Sequence, residues 1–314
     1  MDQDREIAGQ ELHQLFWSKT ARSISTLALH HHGEKDMSDT TPPRNIIYFD
    51  SKANQIPLEG IGTLPYTDII IGFLVPDANL DLVGAGGAFN KDLQSNIQTL
   101  QNAGKNVLIS VGGGGGFPSS AYQSYAQNVN GFVDQIVNFV TTYGFNGVDI
   151  DYEDSGGFTG SYDGIGFLTA LTTALAGALP PGQNIITHAP QTPYWDSRWN
   201  NAPYAQIWQQ VGDQITWINN QFYNNPPWDA TPDLKVQWYQ NVAAITGAQK
   251  LMVGALLAEV GHDEGYLPLD QMVANVIAPL QAAFGSQFGG VMGWQFAFDQ
   301  AGAWANGIGQ ALNT

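Results

Sequence analysis

Three carboxyl side chains, Asp149, Asp151 and Glu153, occupy alternate positions of Gly147-Val148-Asp149-Ile150-Asp151-Tyr152-Glu153, with apolar residues between them. A period of two is strand geometry, so the acids share one face while Val148, Ile150 and Tyr152 share the other. Successive acids then lie roughly 6–7 Å apart, at about 3.3 Å per residue, and three such charges cannot comfortably all ionise. Crowding and burial both raise a carboxyl pKa, which suits the outermost member, Glu153, to hold a proton as a general acid. Asp149 and Asp151 below it would share a proton and pass charge along the column. A solvated acidic turn would not interleave its acids with Val148 and Ile150. A magnesium site, which also favours carboxylates, stays open on these residues alone.

An inward-facing column of acids needs an enclosure, and the surrounding sequence supplies one. From Arg44 onward, short β-branched runs alternate with helix-like stretches, the pattern of repeated βα units. Eight strands are expected: Asn45–Phe49, Asp68–Leu74, Val107–Val111, Gly147–Tyr152, Asn184–His188, Trp217–Tyr223, Leu251–Leu256 and Gly290–Trp294. Helices are expected over Lys91–Ala103, Gly131–Tyr143, Ile165–Leu179, Leu234–Ala244 and Gln271–Phe284. Continuous apolar runs such as Ile69-Ile70-Ile71 mark strands buried on both faces. Eight alternating units close an α/β (β/α)8 TIM barrel spanning residues 44–314, and no linker divides it. Barrel chemistry sits at the carboxyl ends of the strands.

Composition narrows the substrate. Charged residues make up 12% of the 314-residue chain and hydrophobic residues 43%, against about 25% charged in typical domains. Surface polarity must come from Asn, Gln, Ser, Thr and Gly, which suits neutral sugars. With 28 acidic and 11 basic residues the net charge is −17, which argues against nucleic acid and anionic membranes as partners. No cysteine is present, so neither disulfides nor thiolate metal sites arise. No apolar run reaches the roughly 20 residues needed to span a bilayer. Residues 1–43 are expected to form a poorly ordered extension, with a helix conceivable over Gly9 to Ile24 and no partner ligands for His30-His31-His32. No signal peptide is recognised, so a cytoplasmic location or non-classical export is expected, and Met37 is a candidate start.

The carboxylate run resembles the Asp-Gly-x-Asp-x-Asp-x-Glu signature of glycoside hydrolase family 18, with Asn146 in place of the first Asp. Strand parity puts Asn146 on the outward side, away from the column. Ser110-Val111-Gly112-Gly113 is similar to the family's Ser-x-Gly-Gly element. Gln221-Phe222-Tyr223-Asn224-Asn225-Pro226-Pro227 is similar to the corresponding stretch of plant class III, hevamine-like chitinases, as are Ala189-Pro190-Gln191, Gly265-Tyr266-Leu267-Pro268 and Gly290-Val291-Met292-Gly293-Trp294. The plant proteins are disulfide-bonded, and Thr192 and Trp228 stand where the resemblance suggests cysteines.

The resemblance implies an endo-acting, retaining chitinase, with chitin or chitooligosaccharide as partner, no cofactor or metal, and a monomer. Family 18 enzymes use the substrate's own 2-acetamido group as nucleophile. Glu153 is then the acid and later the base, Asp151 orients the acetamido group with Asp149 beneath it, and Tyr223 donates its hydroxyl to the acetamido carbonyl. Trp294 is the expected floor under the sugar, with Gln221, Tyr48, Gln191 and Asn224 as further lining residues. Gly112 to Gly116 would form a lip without side chains, or a plain flexible loop. Trp195, Trp199, Trp208, Trp228 and Trp238 could add stacking subsites or pack between helices, and His188 is expected to be structural. The absence of an α+β insertion after the seventh strand favours endo cleavage. Two alternatives share the signature: an endo-β-N-acetylglucosaminidase acting on N-glycans, and a chitinase-like lectin that binds without cleaving.

Overall fold

A computed structural model of the protein describes residues 43–50 and 56–313. The expectations placed on residues 1–42, including the helix, the His triplet and Met37, lie outside the described residues. Eight parallel strands form the barrel: β1 (Arg44–Phe49), β2 (Asp68–Pro76), β4 (Asn106–Gly112), β5 (Gly147–Asp151), β6 (Ile185–His188), β7 (Trp217–Gln221), β8 (Leu251–Leu256) and β9 (Gly290–Trp294). Pairing of β1 with both β2 and β9 closes it. The expected strands agree to within two residues at either end. A short strand missed in the sequence, β3 (Leu82–Gly84), pairs antiparallel with the end of β2 and extends that wall above the barrel rim.

Helices α1 (Leu93–Asn102), α2 (Ser119–Gln127), α3 (Val129–Tyr143), α4 (Ser155–Phe158), α5 (Gly164–Ala178), α6 (Pro203–Val211) and α7 (Pro232–Thr246) follow in order. A further helical stretch over residues 269–284 contains a π-helical segment at Val273–Ile277, and Ala303–Leu312 ends the fold. Local chemistry sets the starts of these helices. Asn128, Asp163 and Thr231 accept from backbone N–H groups in the first turns of α3, α5 and α7, which satisfies donors that have no partner inside the helix. The segment from Leu256 to Leu269 carries no inserted domain.

Side-chain alternation splits the core in two. Outward residues of the strands, including Ile47, Ile69, Ile109, Val148, Ile150 and Ile218, pack against the helices. Inward apolar residues, among them Ile46, Ile70, Leu108, Met252 and Met292, fill the barrel itself. At its amino end, Arg44 meets Asp68 at 3.0 Å and lies 3.9 Å over the Trp217 ring. Asp68 also accepts from Thr67 and Asn106. Among the described residues no helix is long and apolar enough to cross a membrane.

Candidate active site

Strand β5 carries Asp149 and Asp151 on its inner face, and Glu153 follows just past its end. Its register with β4 and β6 sets Ser110 and Thr187 beside Asp149. Asp149 is fully enclosed and accepts four hydrogen bonds. Tyr48 and Ser110 donate to Oδ2 at 2.7 and 2.8 Å, while Thr187 and Asn219 donate to Oδ1 at 2.6 and 3.1 Å. Burial raises its pKa, and these four donors pull it back. A carboxyl with both oxygens so occupied has no acceptor for a proton of its own, so the column holds its charge most easily here.

Asp151 and Glu153 are tied together from the neighbouring wall. Gln221 Nε2 lies 3.0 Å from Asp151 Oδ1, 3.1 Å from Glu153 Oε1 and 3.1 Å from the Ala189 carbonyl. Burial raises both carboxyl pKa values, and Asp151 rises furthest because it is also flanked by Glu153 and Asp149. Burial and mutual charge thus favour the protonated form in this pair, which suits it to hold a shared proton. Burial, Asp151 and Glu153 also push the Tyr223 hydroxyl well above its ordinary value, which keeps it a donor. That hydroxyl has no hydrogen-bond partner among the described residues.

These groups line one cavity of about 490 Å³, together with Tyr48, Asp50, Phe73, Gln191, Asn224, Trp294 and the Gly112–Gly116 turn. No lysine or arginine is among its described lining residues. Trp294 stands at the end of β9, packed against Tyr48 and Phe73 at centroid distances of 5.7 and 5.8 Å. The glycine lip has its firmest reason to lack a side chain at Gly112, whose φ is +122° and where a Cβ would lie 2.0 Å from the Asp151 carbonyl oxygen. The three carboxyls do not form a metal cluster, and among the described residues no group of three or more acidic, His or Cys side chains does.

The other residues singled out in the sequence divide between the cavity and the frame around it. Asn224 lines the cavity, but its side chain bonds Asp263 and the Glu264 N–H at 3.0 and 2.7 Å and so ties down the loop after β8. None of the five tryptophans lines the cavity. Trp195 is buried and donates to Asn220, Trp228 donates to Asp196, and Trp199, Trp208 and Trp238 pack on the outer core. Thr192 is buried and donates to the Gln221 carbonyl at 2.8 Å. Asn146 bonds the Val107 N–H and Gln101, away from the carboxylate column. His188 is buried behind β6 between Thr172 and Tyr204.

Sequence reasoning missed Thr187 and Asn219 as partners of Asp149, and Asp50 and Phe73 as lining residues. Inward parity on β6 and β7 marks Thr187 and Asn219 once the strand register is known. Asp50 lies just beyond β1, where parity gives no guide.

A single barrel with hydrogen-bonded carboxyls lining a cavity at its carboxyl end fits a glycoside hydrolase. The model of the glycosyl hydrolases family 18 matches residues 44–258. An acidic endochitinase of Cucumis sativus is 30% identical over 76% of this chain and 75% of its own, and acidic endochitinase SE2 of Beta vulgaris is 29% identical over 74% and 80%. A family 18 chitinase from Pseudoalteromonas aurantia superposes with a TM-score of 0.81 at 37% identity, covering 86% of this chain and 100% of that one. A fungal endo-β-N-acetylglucosaminidase shares the fold at 20% identity, with a TM-score of 0.68 over 86% of this chain and 98% of its own. The chain belongs to glycoside hydrolase family 18.

Proposed function

We propose that this hydrolase cleaves chitin within the chain and retains anomeric configuration, using the substrate's own acetamido group as nucleophile. The observation that carries this reading is the placement of Asp151, lodged between Asp149 and Glu153 and facing the same cavity as the unpartnered Tyr223 hydroxyl. A sugar resting on Trp294 presents its glycosidic oxygen to Glu153, which donates the proton as the bond to the anomeric carbon breaks. The acetamido carbonyl oxygen attacks that carbon to give an oxazolinium ion. Asp151 accepts from the acetamido N–H, and Tyr223 donates to the acetamido oxygen, so both act on charge that develops in the transition state. Glu153, now a carboxylate, takes a proton from the water that opens the ring, which restores the resting site.

Asp149 supports the cycle by holding negative charge beneath Asp151, which favours the shared proton staying with the upper pair until it is needed. Endo cleavage is supported by the short segment after β8, which carries no wall domain, and by the acidic endochitinases among the relatives. The test is digestion of chitin hexamer by wild type and Glu153→Gln, with a high-mannose glycopeptide as the contrasting substrate. Wild type is expected to yield internal fragments from the hexamer and to leave the glycopeptide intact. Cleavage of the glycopeptide alone would contradict the reading.

A further inference from the structure

The first turn of helix α7 carries a buried lysine. Lys235 is 2% exposed, and its Nζ donates to the Phe222 carbonyl. Asn225 Nδ2 donates to the next carbonyl, that of Tyr223, at 2.5 Å, and the Asn225 N–H donates to Asp229 Oδ1 at 3.1 Å. Asp229 is fully buried, and its Oδ2 has no hydrogen-bond partner among the described residues. Two side chains thus hold the peptide carbonyls on either side of Tyr223, and Asp229 holds one of them in turn.

The loop after β8 closes this enclosure. A Cβ on Gly265, whose φ is +84°, would lie 3.0 Å from Lys235 Nζ and 3.5 Å from Tyr223 Cα. Burial lowers the Lys235 pKa to about 8 and raises that of Asp229 to about 6, each partly offset by the other's charge. Buried charges of this kind are a poor source of stability, since apolar side chains of similar volume often serve as well or better. Their geometry is what distinguishes them: the ammonium sits where it fixes the strand end that carries Tyr223.

We infer that Lys235, with Asp229, is a positioning residue for Tyr223, aiming its hydroxyl into the catalytic cavity; this rests on the proposed role of that hydroxyl. Among the described residues the side chain of Tyr223 makes no hydrogen bond, so its aim depends on its packing and on the backbone that Lys235 and Asn225 hold. A residue of this kind affects turnover more than binding, because small misplacement of a reacting group is costly.

The experiment is a double-mutant cycle on chitin oligomers. The doubly neutral variant Asp229→Asn/Lys235→Met avoids stranding one buried charge, and Asp229→Leu/Lys235→Met serves as the second variant if the first melts below assay temperature. In the wild-type background either is expected to lower kcat by about tenfold with a smaller change in KM. In the Tyr223→Phe background the same substitution should change kcat less than about twofold, because coupled residues are non-additive. An equal loss in both backgrounds, or no loss in the first, would overturn the inference while leaving the role of Tyr223 intact. Tyr223→Phe with wild-type kcat would instead remove the reading on which it rests.

Discussion

The barrel buries carboxyl groups at both ends of its interior, under opposite conditions. At the amino end, Asp68 meets Arg44 at 3.0 Å and accepts further bonds from Thr67 and Asn106. At the carboxyl end, the hydrogen-bond donors to Asp149, Asp151 and Glu153 among the described residues are all neutral: Tyr48, Ser110, Thr187, Asn219 and Gln221. Pairing with a cation ties Asp68 into the fold, whereas burial and mutual charge raise the pKa values of Asp151 and Glu153 and suit them to proton transfer. One end therefore holds the fold, and the other is poised for proton transfer.

The largest expected effect tests the reactive end. Glu153→Gln should lower kcat on chitin hexamer by about 10²–10⁴-fold, the range of a positioned general acid. Its melting temperature should stay level or rise, since the change relieves crowding among uncompensated acids. Arg44→Met should do the reverse, costing about 3 kcal/mol of stability by stranding Asp68. Below its melting temperature its kcat should stay within twofold of wild type. A matching loss of kcat in Arg44→Met would dissolve the distinction between the two ends. Tyr223→Phe comes next, at about 10²-fold in kcat, as expected for loss of one donor to a developing charge.

His188 adds a pH dependence that belongs to neither end. Burial lowers its pKa to about 3, below the roughly 6.5 of an unfolded histidine. The unfolded chain therefore takes up this proton first, and the stabilisation from a neutral His188 is complete above about pH 6.5 and lost as pH falls towards 3. Denaturant titrations of wild type and His188→Gln should diverge by about 1.4 kcal/mol per pH unit across that window. Parallel curves would contradict a neutral buried ring. The smallest effect is expected at Asp50, a half-buried cavity acid hydrogen-bonded by Gln295. Asp50→Asn should change kcat less than about tenfold, whereas a second catalytic carboxyl would fall in the general-base range of 10²–10⁴.

Local pattern accounts for most of what the sequence reveals. Runs such as Ile69-Ile70-Ile71 fix strands because no other element buries both faces of so short a segment, and alternation around Asp149 fixes the acid column without reference to its neighbours. β3 escaped because Leu82–Gly84 is three residues long and owes its form to pairing with β2. The Tyr48–Asp149 bond joins residues 101 positions apart, and only barrel closure brings them together. The tryptophans stayed open between stacking and packing because an aromatic near a strand end looks alike in sequence whether it faces a sugar or, as Trp195 does, Asn220. A helical lysine reads as solvent-facing, so Lys235 gave no sign of its burial.

The most direct test of the account is the anomeric form of the first products from chitin hexamer, followed by NMR before mutarotation. Attack by the acetamido oxygen and then by water inverts the anomeric carbon twice, so newly formed reducing ends should be β. Newly formed α ends would mean a single displacement by water and would contradict the mechanism assigned to Asp151, Glu153 and Tyr223.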